Sequence, residues 1–232
     1  MNYCQLGHEV HDVVKVPTIQ GDFYVYDVEK YVNNPGFYCT GQDALSENII
    51  LEGQWEPHDT KRIKRILEKG QGRGYVIDFG CHVGWYSIMA AKLGYHVLAI
   101  DGDAENLRTL ELNAEFHNVR ERIITKHAWV KKGFKLEKLP EFDSSVMMRG
   151  VEDKIQLIKV DLEGSDSYAV YGCEGLLGKT KNLYVEITPA FNSSYPDLVN
   201  YLRSKKFTPY YPDGTPFDDD YSESQINLWF KK

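Results

Sequence analysis

No stretch of the 232 residues reaches the ~18 consecutive apolar side chains that a bilayer-spanning helix needs, so no membrane segment is expected. The opening residues, MNYCQLGHEVHDVV, carry neither a basic n-region nor an apolar h-region, and no secretory signal is expected. Cysteine is scarce. Cys4, Cys39, Cys81 and Cys173 form no C-x-x-C pair, which predicts free thiols in a reducing cytoplasm and argues against a zinc site. No internal period or low-complexity tract is present, so a solenoid is excluded. Positive charge is also short: 27 Lys and Arg against 34 Asp and Glu leave a net charge of −7, unfavourable for a broad phosphate-backbone footprint. The densest basic run, KRIKRILEKG, reads as the solvated face of a helix whose buried stripe is Ile63, Ile66 and Leu67.

What is present is an alternation of strand-like and helix-like segments from Tyr75 onward. YVIDFG is a short apolar run, and WYSIMAAKLG places Trp85, Ile88, Met89 and Lys92 at helical spacing with Gly94 suited to the C′ position. HVLAID is a second strand. DAENLRTLELNAEFHN follows, with Asp103 as N-cap and Leu107, Leu110 and Ala114 on one face. RIITKHAWV, IQLIKVDLEG and NLYVEI read as three further strands, the second apolar enough to be central. YPDLVNYLRSKKF is helical, and PYYP with QINLWF suits a late hairpin pair. This order predicts an α/β fold with a mostly parallel sheet covered by helices on both faces. Residues 1–59 do not fit the alternation. They are expected to form an N-terminal extension, with an added strand at GDFYVYDV and a turn-rich YVNNPGFYCTGQD, packed on a domain spanning 60–232. The acidic stretch YPDGTPFDDDYSES reads as a solvated loop or, through Tyr210, Tyr211, Phe217 and Tyr221, as a lid over a substrate.

The first strand ends in D-x-G-x-x-x-G: Asp78, Gly80, Gly84. A dinucleotide fingerprint starting at Gly80 would need glycine where His82 and Trp85 stand, and no G-K-[ST] follows, so pyrophosphate and P-loop sites are excluded. Asp101 ends the second strand roughly 20 residues on, where nucleotide-binding α/β folds place the acid that grips ribose hydroxyls. A glycine loop without pyrophosphate geometry, plus a ribose acid, suggests a nucleoside without phosphates, and S-adenosylmethionine is the evident one.

On these residues the chain resembles the FkbM-type S-adenosylmethionine-dependent methyltransferases of class I, from about Ile49 to Ile187. GQWEP, VIDFGCHVGWYS, AIDGDAENLRTLELNAEFHN, IQLIKVDLEGSD and LYVEI are similar to the family's successive motifs. Cys81 stands where Ala is commoner, Asp101 where Glu is, and Gly102 near a position often held by Pro. The resemblance implies a Rossmann-like class I sheet of seven strands, order 3-2-1-4-5-7-6, with the last antiparallel. It implies cofactor contacts at Asp78, Gly80, Cys81, His82, Gly84, Tyr86, Asp101 and Gly102, with S-adenosylhomocysteine as the product. It also implies methyl transfer to a hydroxyl of a sugar, glycan or small metabolite.

Such a transfer is an in-line displacement in which the protein supplies alignment and an acceptor for a proton. Asp161, Glu163 and Glu186 fall at the carboxyl ends of adjacent strands, where ligands of open α/β sheets bind, and are the expected catalytic residues. Asp161 reads equally as a loop contact, Glu163 as a brace around Gly164, Glu186 as a buried acid paired with a lysine. His82 is a further contact candidate; His127, inside a strand, and the Asp143–Ser145 cluster are weaker ones. Oxygen ligands from the three carboxylates would suit Mg²⁺, but no dense ligand motif is present and no metal is expected. Expected partners are a small molecule or glycan, with neither nucleic acid nor membrane. VDLEG stands where adenine-methylating enzymes carry D/N-P-P-Y/F. Nucleic-acid or protein methylation, and a non-catalytic cofactor-binding domain, are the alternatives.

Overall fold

The structure, a computed structural model, describes residues 13–28, 43–139, 154–188 and 195–232. Cys4, Cys39, all of YVNNPGFYCTGQD but its last residue, and the Asp143–Ser145 cluster lie outside the described residues. Among the described residues no helix is long and apolar enough to cross a membrane.

Seven strands form the main sheet. They are β3 (Tyr75–Phe79), β4 (His96–Asp101), β5 (Ile123–His127), β6 (Ile155–Val160), β7 (Asn182–Ile187), β8 (Thr208–Tyr210) and β9 (Ile226–Lys231). Their order is β5-β4-β3-β6-β7-β9-β8, with β9 antiparallel to both neighbours and β3 to β7 parallel. Renumbered within the sheet, this is the expected 3-2-1-4-5-7-6. Two strands are shorter than the sequence pattern suggests: β5 stops at His127, and β6 stops at Val160 because the chain turns at Glu163 and Gly164, both at positive φ.

One core lies on each face of the sheet. On one face Val76, Val97, Leu157 and Tyr184 pack with Ile63, Ile66 and Leu67 of α2 (Pro57–Gly70), with Trp85, Ile88 and Met89 of α3 (Trp85–Lys92), and with Leu107, Leu110 and Ala114 of α4 (Ala104–Phe116). The basic run is thus the amphipathic helix its pattern predicts. α2 begins at Pro57, three residues before the boundary drawn from sequence. On the other face Ile77, Leu98, Ile158 and Val185 meet α5 (Asp166–Gly172), α6 (Glu174–Leu177) and α7 (Tyr195–Ser204). Asp103 caps α4 by accepting a bond from the Glu105 amide at 2.8 Å, and Gly94 follows α3 at φ 97°.

GDFYVYDV does not join the main sheet. Its strand β2 (Phe23–Tyr26) pairs antiparallel with β1 (Val13–Val16), and α1 (Ala44–Glu52) follows. Asn113 of α4, fully buried, fastens this hairpin: it accepts from the Tyr24 amide at 2.7 Å and donates to the Tyr24 carbonyl at 2.8 Å and to the Val83 carbonyl at 3.0 Å. A single side chain therefore satisfies a strand residue and a residue of the glycine loop together.

Candidate active site

Side chains alternate between the faces of a strand, so Asp78 of β3, Lys159 of β6 and Glu186 of β7 share a face with Val76, Leu157 and Tyr184. All three are buried and lie near the carboxyl ends of adjacent parallel strands. A buried charge is tolerated only when it is paired. Lys159 donates to Asp161 Oδ2 at 3.0 Å and to the Gly80 carbonyl at 3.2 Å, stands 3.9 Å from Asp78, and lies 5.2 Å from the centre of the Tyr86 ring. Burial alone would weaken its hold on a proton, but Asp161, Asp78 and Glu56 outweigh burial and hold it above the ordinary lysine range.

The glycine loop wraps this lysine. Gly80 and Cys81 donate to the Ile100 carbonyl at 2.8 and 3.3 Å, and Gly84 donates to the Cys81 carbonyl at 2.8 Å. Gly80 sits at φ 72°, and a Cβ there would lie 1.8 Å from the Asp161 carbonyl oxygen. At Gly84, φ 95°, a Cβ would lie 2.6 Å from Leu110 of α4; the glycine serves helix packing as well as the turn. Cys81 is buried, and burial pushes its thiol well above the usual range. His82, at φ 48°, donates its backbone amide to Asp101 Oδ2 at 2.9 Å, and its imidazole Nε2 faces Asp43 at 3.4 Å.

Asp101 carries most of the loop geometry. Besides the His82 amide it accepts from the Asp103 amide at 2.8 Å and the Asn106 side chain at 3.1 Å. A carboxylate offers about four acceptor positions, so one remains for a ribose hydroxyl. Asp78 has a comparable vacancy: Oδ2 accepts from Ser87 at 2.6 Å, while Oδ1 is buried with no hydrogen-bond partner. Next to Asp101, the ring of Trp129 lies over Gly102 and is 66% exposed. His127 caps the same turn, its Nε2 lying 2.9 Å from the Gly102 carbonyl. These residues fit a nucleoside: a hydroxyl acceptor, a bare aromatic face and an unmet buried acceptor.

The three expected catalytic carboxylates converge. One ligand atom each from Asp161, Glu163 and Glu186 lies within 4.8 Å of the others. Glu186 is 3% exposed; Oε1 accepts from Gln225, and Oε2 has no donor. Burial, then the charges of Asp161 and Glu163, push its carboxyl up to about 9. Burial and Asp161 likewise raise Glu163, an exposed residue at φ 49°. The loop that presents them is shaped by Asp166, which accepts from the Leu162 amide at 2.8 Å, the Gly164 amide at 3.0 Å and the Tyr195 hydroxyl at 2.9 Å.

Glu56 and Asp59 were missed by the sequence reading. The Tyr86 hydroxyl donates to Glu56 at 2.8 Å and the Tyr184 hydroxyl donates to Asp59. Tyr86 is therefore committed to a protein partner. Burial, then Asp161, push Glu56 up to about 7. Its folded value lies above its unfolded one, so its contribution is full below about pH 4.5 and is lost as pH rises through 7. Glu56→Gln is thus expected to be more stable than the native chain at pH 8 by on the order of 1–2 kcal/mol, and so to melt at a higher temperature, with no difference at pH 4.5. Paired thermal melts at the two pH values check this.

The stretch 211–224 keeps its acids exposed, as a solvated loop would, while the aromatics that suggested a lid pack inward. Phe217 is buried, with ring centres 5.3 Å from Tyr211 and 5.2 Å from Tyr221, and Arg203 ties Asp219 at 2.9 Å. These aromatics close the second core.

No protein-family model matches the chain. Over 108 residues it is 26% identical to the ribosomal protein L11 methyltransferase of Alkaliphilus metalliredigens, covering 36% of this chain. The chain spans about a third (34%) of the length of that curated relative. Among solved structures it is similar to a candidate rRNA methylase from Clostridium thermocellum, at a TM-score of 0.53 and 13% identity, covering 76% of this chain and 94% of that one. A candidate methyltransferase from Streptococcus mutans in complex with SAH aligns at a TM-score of 0.49 and 10% identity, over 75% and 94% of the two chains. The expectation of a glycan or small-molecule partner, with no nucleic acid, is corrected here: the proteins the chain resembles are named for a ribosomal protein and for rRNA. The fold is that of the class I S-adenosylmethionine-dependent methyltransferases.

Proposed function

We propose that this chain transfers a methyl group from S-adenosylmethionine to a protein acceptor. The observation that carries the reading is the convergence, at the carboxyl ends of β3, β4, β6 and β7, of a glycine loop, a ribose-competent acid and a carboxylate trio. In this reading Asp101 takes a ribose hydroxyl, Trp129 offers its face to the adenine, and the loop from Gly80 to Gly84 lies along the cofactor. The FkbM-type motifs support this cofactor half only. When bound, the sulfonium supplies an activated methyl group. The chain's own residues then hold the acceptor in line and remove the proton it loses: Asp161, 3.0 Å from Lys159, faces the acceptor together with Glu186 and Glu163. A protein acceptor is favoured over RNA by the net charge of −7, which would repel a polyanion, and by the relative with sequence similarity, named for a ribosomal protein.

The test is incubation with methyl-labelled cofactor and purified ribosomal subunits, followed by protease or nuclease. Label released by protease supports the reading. Label released only by nuclease would replace the acceptor with RNA, and no label alongside intact cofactor binding would point to a different acceptor. Stacking on a base is worth roughly 1–3 kcal/mol, so Trp129→Ala is expected to weaken S-adenosylhomocysteine binding about tenfold or more by calorimetry, with an unchanged melting temperature.

A further inference from the structure

Glu186 is buried almost completely, and its Oε2 finds no donor. What faces it is more negative charge. Oxygens of Asp161 and Glu163 share a region no wider than 4.8 Å with it, and all three groups accept hydrogen bonds without donating when ionised. The nearest cation, Lys159, balances one of the three and is shared with Asp78. With no cation present the cluster relieves its repulsion by holding a proton on Glu186; a cation that binds all three oxygens would displace that proton and leave the three acids ionised.

We propose that Asp161, Glu163 and Glu186 form a binding site for one hard divalent cation. The ligand chemistry is all oxygen, which suits Mg²⁺, Mn²⁺ or Ca²⁺ and not zinc or copper. Size gives a further criterion. Ligands on opposite sides of Ca²⁺ are about 5 Å apart and those across Mg²⁺ about 4.2 Å, from bond lengths of roughly 2.5 and 2.1 Å. A spread of 4.8 Å accepts the larger ion as it stands and the smaller one with a modest closing movement. The loop supports the role, because Asp166 fixes the Leu162 and Gly164 amides on either side of Glu163 and so holds that residue at φ 49° with its carboxylate beside the other two. A cation there lies on the acceptor side, next to the glycine loop but separate from Asp101 and Trp129. It would stabilise the anion left when an acceptor loses its proton.

The experiment uses the full chain, stripped with chelator and dialysed, without cofactor. Mg²⁺, Mn²⁺ and Ca²⁺ are titrated by calorimetry at constant ionic strength, and Mn²⁺ binding is read by electron paramagnetic resonance. One saturable site per chain is expected. Glu163→Gln changes an exposed residue and preserves the fold, and is expected to weaken binding at least tenfold, with Glu186→Gln doing the same. Asp220→Asn, in the acidic loop, is expected to leave it unchanged. The proposal is overturned if no saturable binding occurs, if both glutamine variants bind like the native chain, or if the loop variant alone loses binding. S-adenosylhomocysteine binding measured in chelator tests the cofactor reading separately, so the two can fail independently.

Discussion

Gly80→Ala is expected to abolish cofactor binding and to destabilise the chain by about 2–5 kcal/mol, combining an overpacked contact with the cost of the left-handed backbone for alanine. From sequence alone, a larger residue here is expected to collide with the loop path or the ligand and to leave the fold largely intact. The structure puts the collision on the backbone of the neighbouring strand end. The new Cβ would fall 1.8 Å from the Asp161 carbonyl oxygen and 2.9 Å from its carbon. That backbone cannot swing aside cheaply, because the Asp161 amide donates to the Phe79 carbonyl at 3.1 Å and its side chain is held by Lys159 at 3.0 Å. The Gly80 carbonyl is itself a partner of Lys159. Relief must therefore come from moving the loop, which shifts the His82 amide off Asp101. Urea melts and calorimetry with S-adenosylhomocysteine read both effects. A variant that melts with the native chain and binds normally would show that the loop does not follow this path.

Asp161→Asn is expected to lower turnover by ~10²–10⁴-fold while changing cofactor affinity less than threefold. Its carboxylate faces Glu163, Glu186 and Lys159, and it shares none of the hydrogen-bond partners of Asp101. Asparagine keeps the shape and can still accept from Lys159, so the loss isolates the charge. The paired measurement is the dissociation constant for S-adenosylhomocysteine and kcat on the labelled acceptor. Unchanged kcat would remove Asp161 from the chemistry, and a tenfold loss of affinity with normal kcat would make it a binding residue.

Much of this architecture is legible in the sequence because it rests on local signals. The apolar runs at 75–79, 155–160 and 182–187, the cap at Asp103 and the glycines at 80, 84 and 94 each report a backbone requirement of their own neighbourhood. Asp101 is legible by spacing alone. The residues that stayed hidden depend on convergence. Lys159 reads as an interruption of a strand, and its meaning comes from three acids brought to it by different elements. Glu56 and Asp59 lie 22 and 19 residues before Asp78; Glu56 falls within GQWEP, but no spacing there points to a role, and both acids reach the site only because α2 packs beside α3. Asp166 resembles any acid in a turn until three donors are seen to meet on it. The strand at GDFYVYDV is legible, but its partner β1 is not, because four residues alternate too briefly to be distinguished; Phe217 stays hidden because a composition rich in Asp, Pro and Gly outweighs one aromatic.

The Asn113 clasp sets an order of events for the newborn chain. Tyr24 waits for a partner 89 residues further along, and Val83 waits for one 30 residues along. Contacts this far apart in sequence pay their loop-closure entropy before they are rewarded, and the second partner must first be synthesised. β1 and β2, made before the main sheet, are therefore fixed in place only after α4, and the cofactor loop cannot take its final form until α4 has been made and has swung back over both.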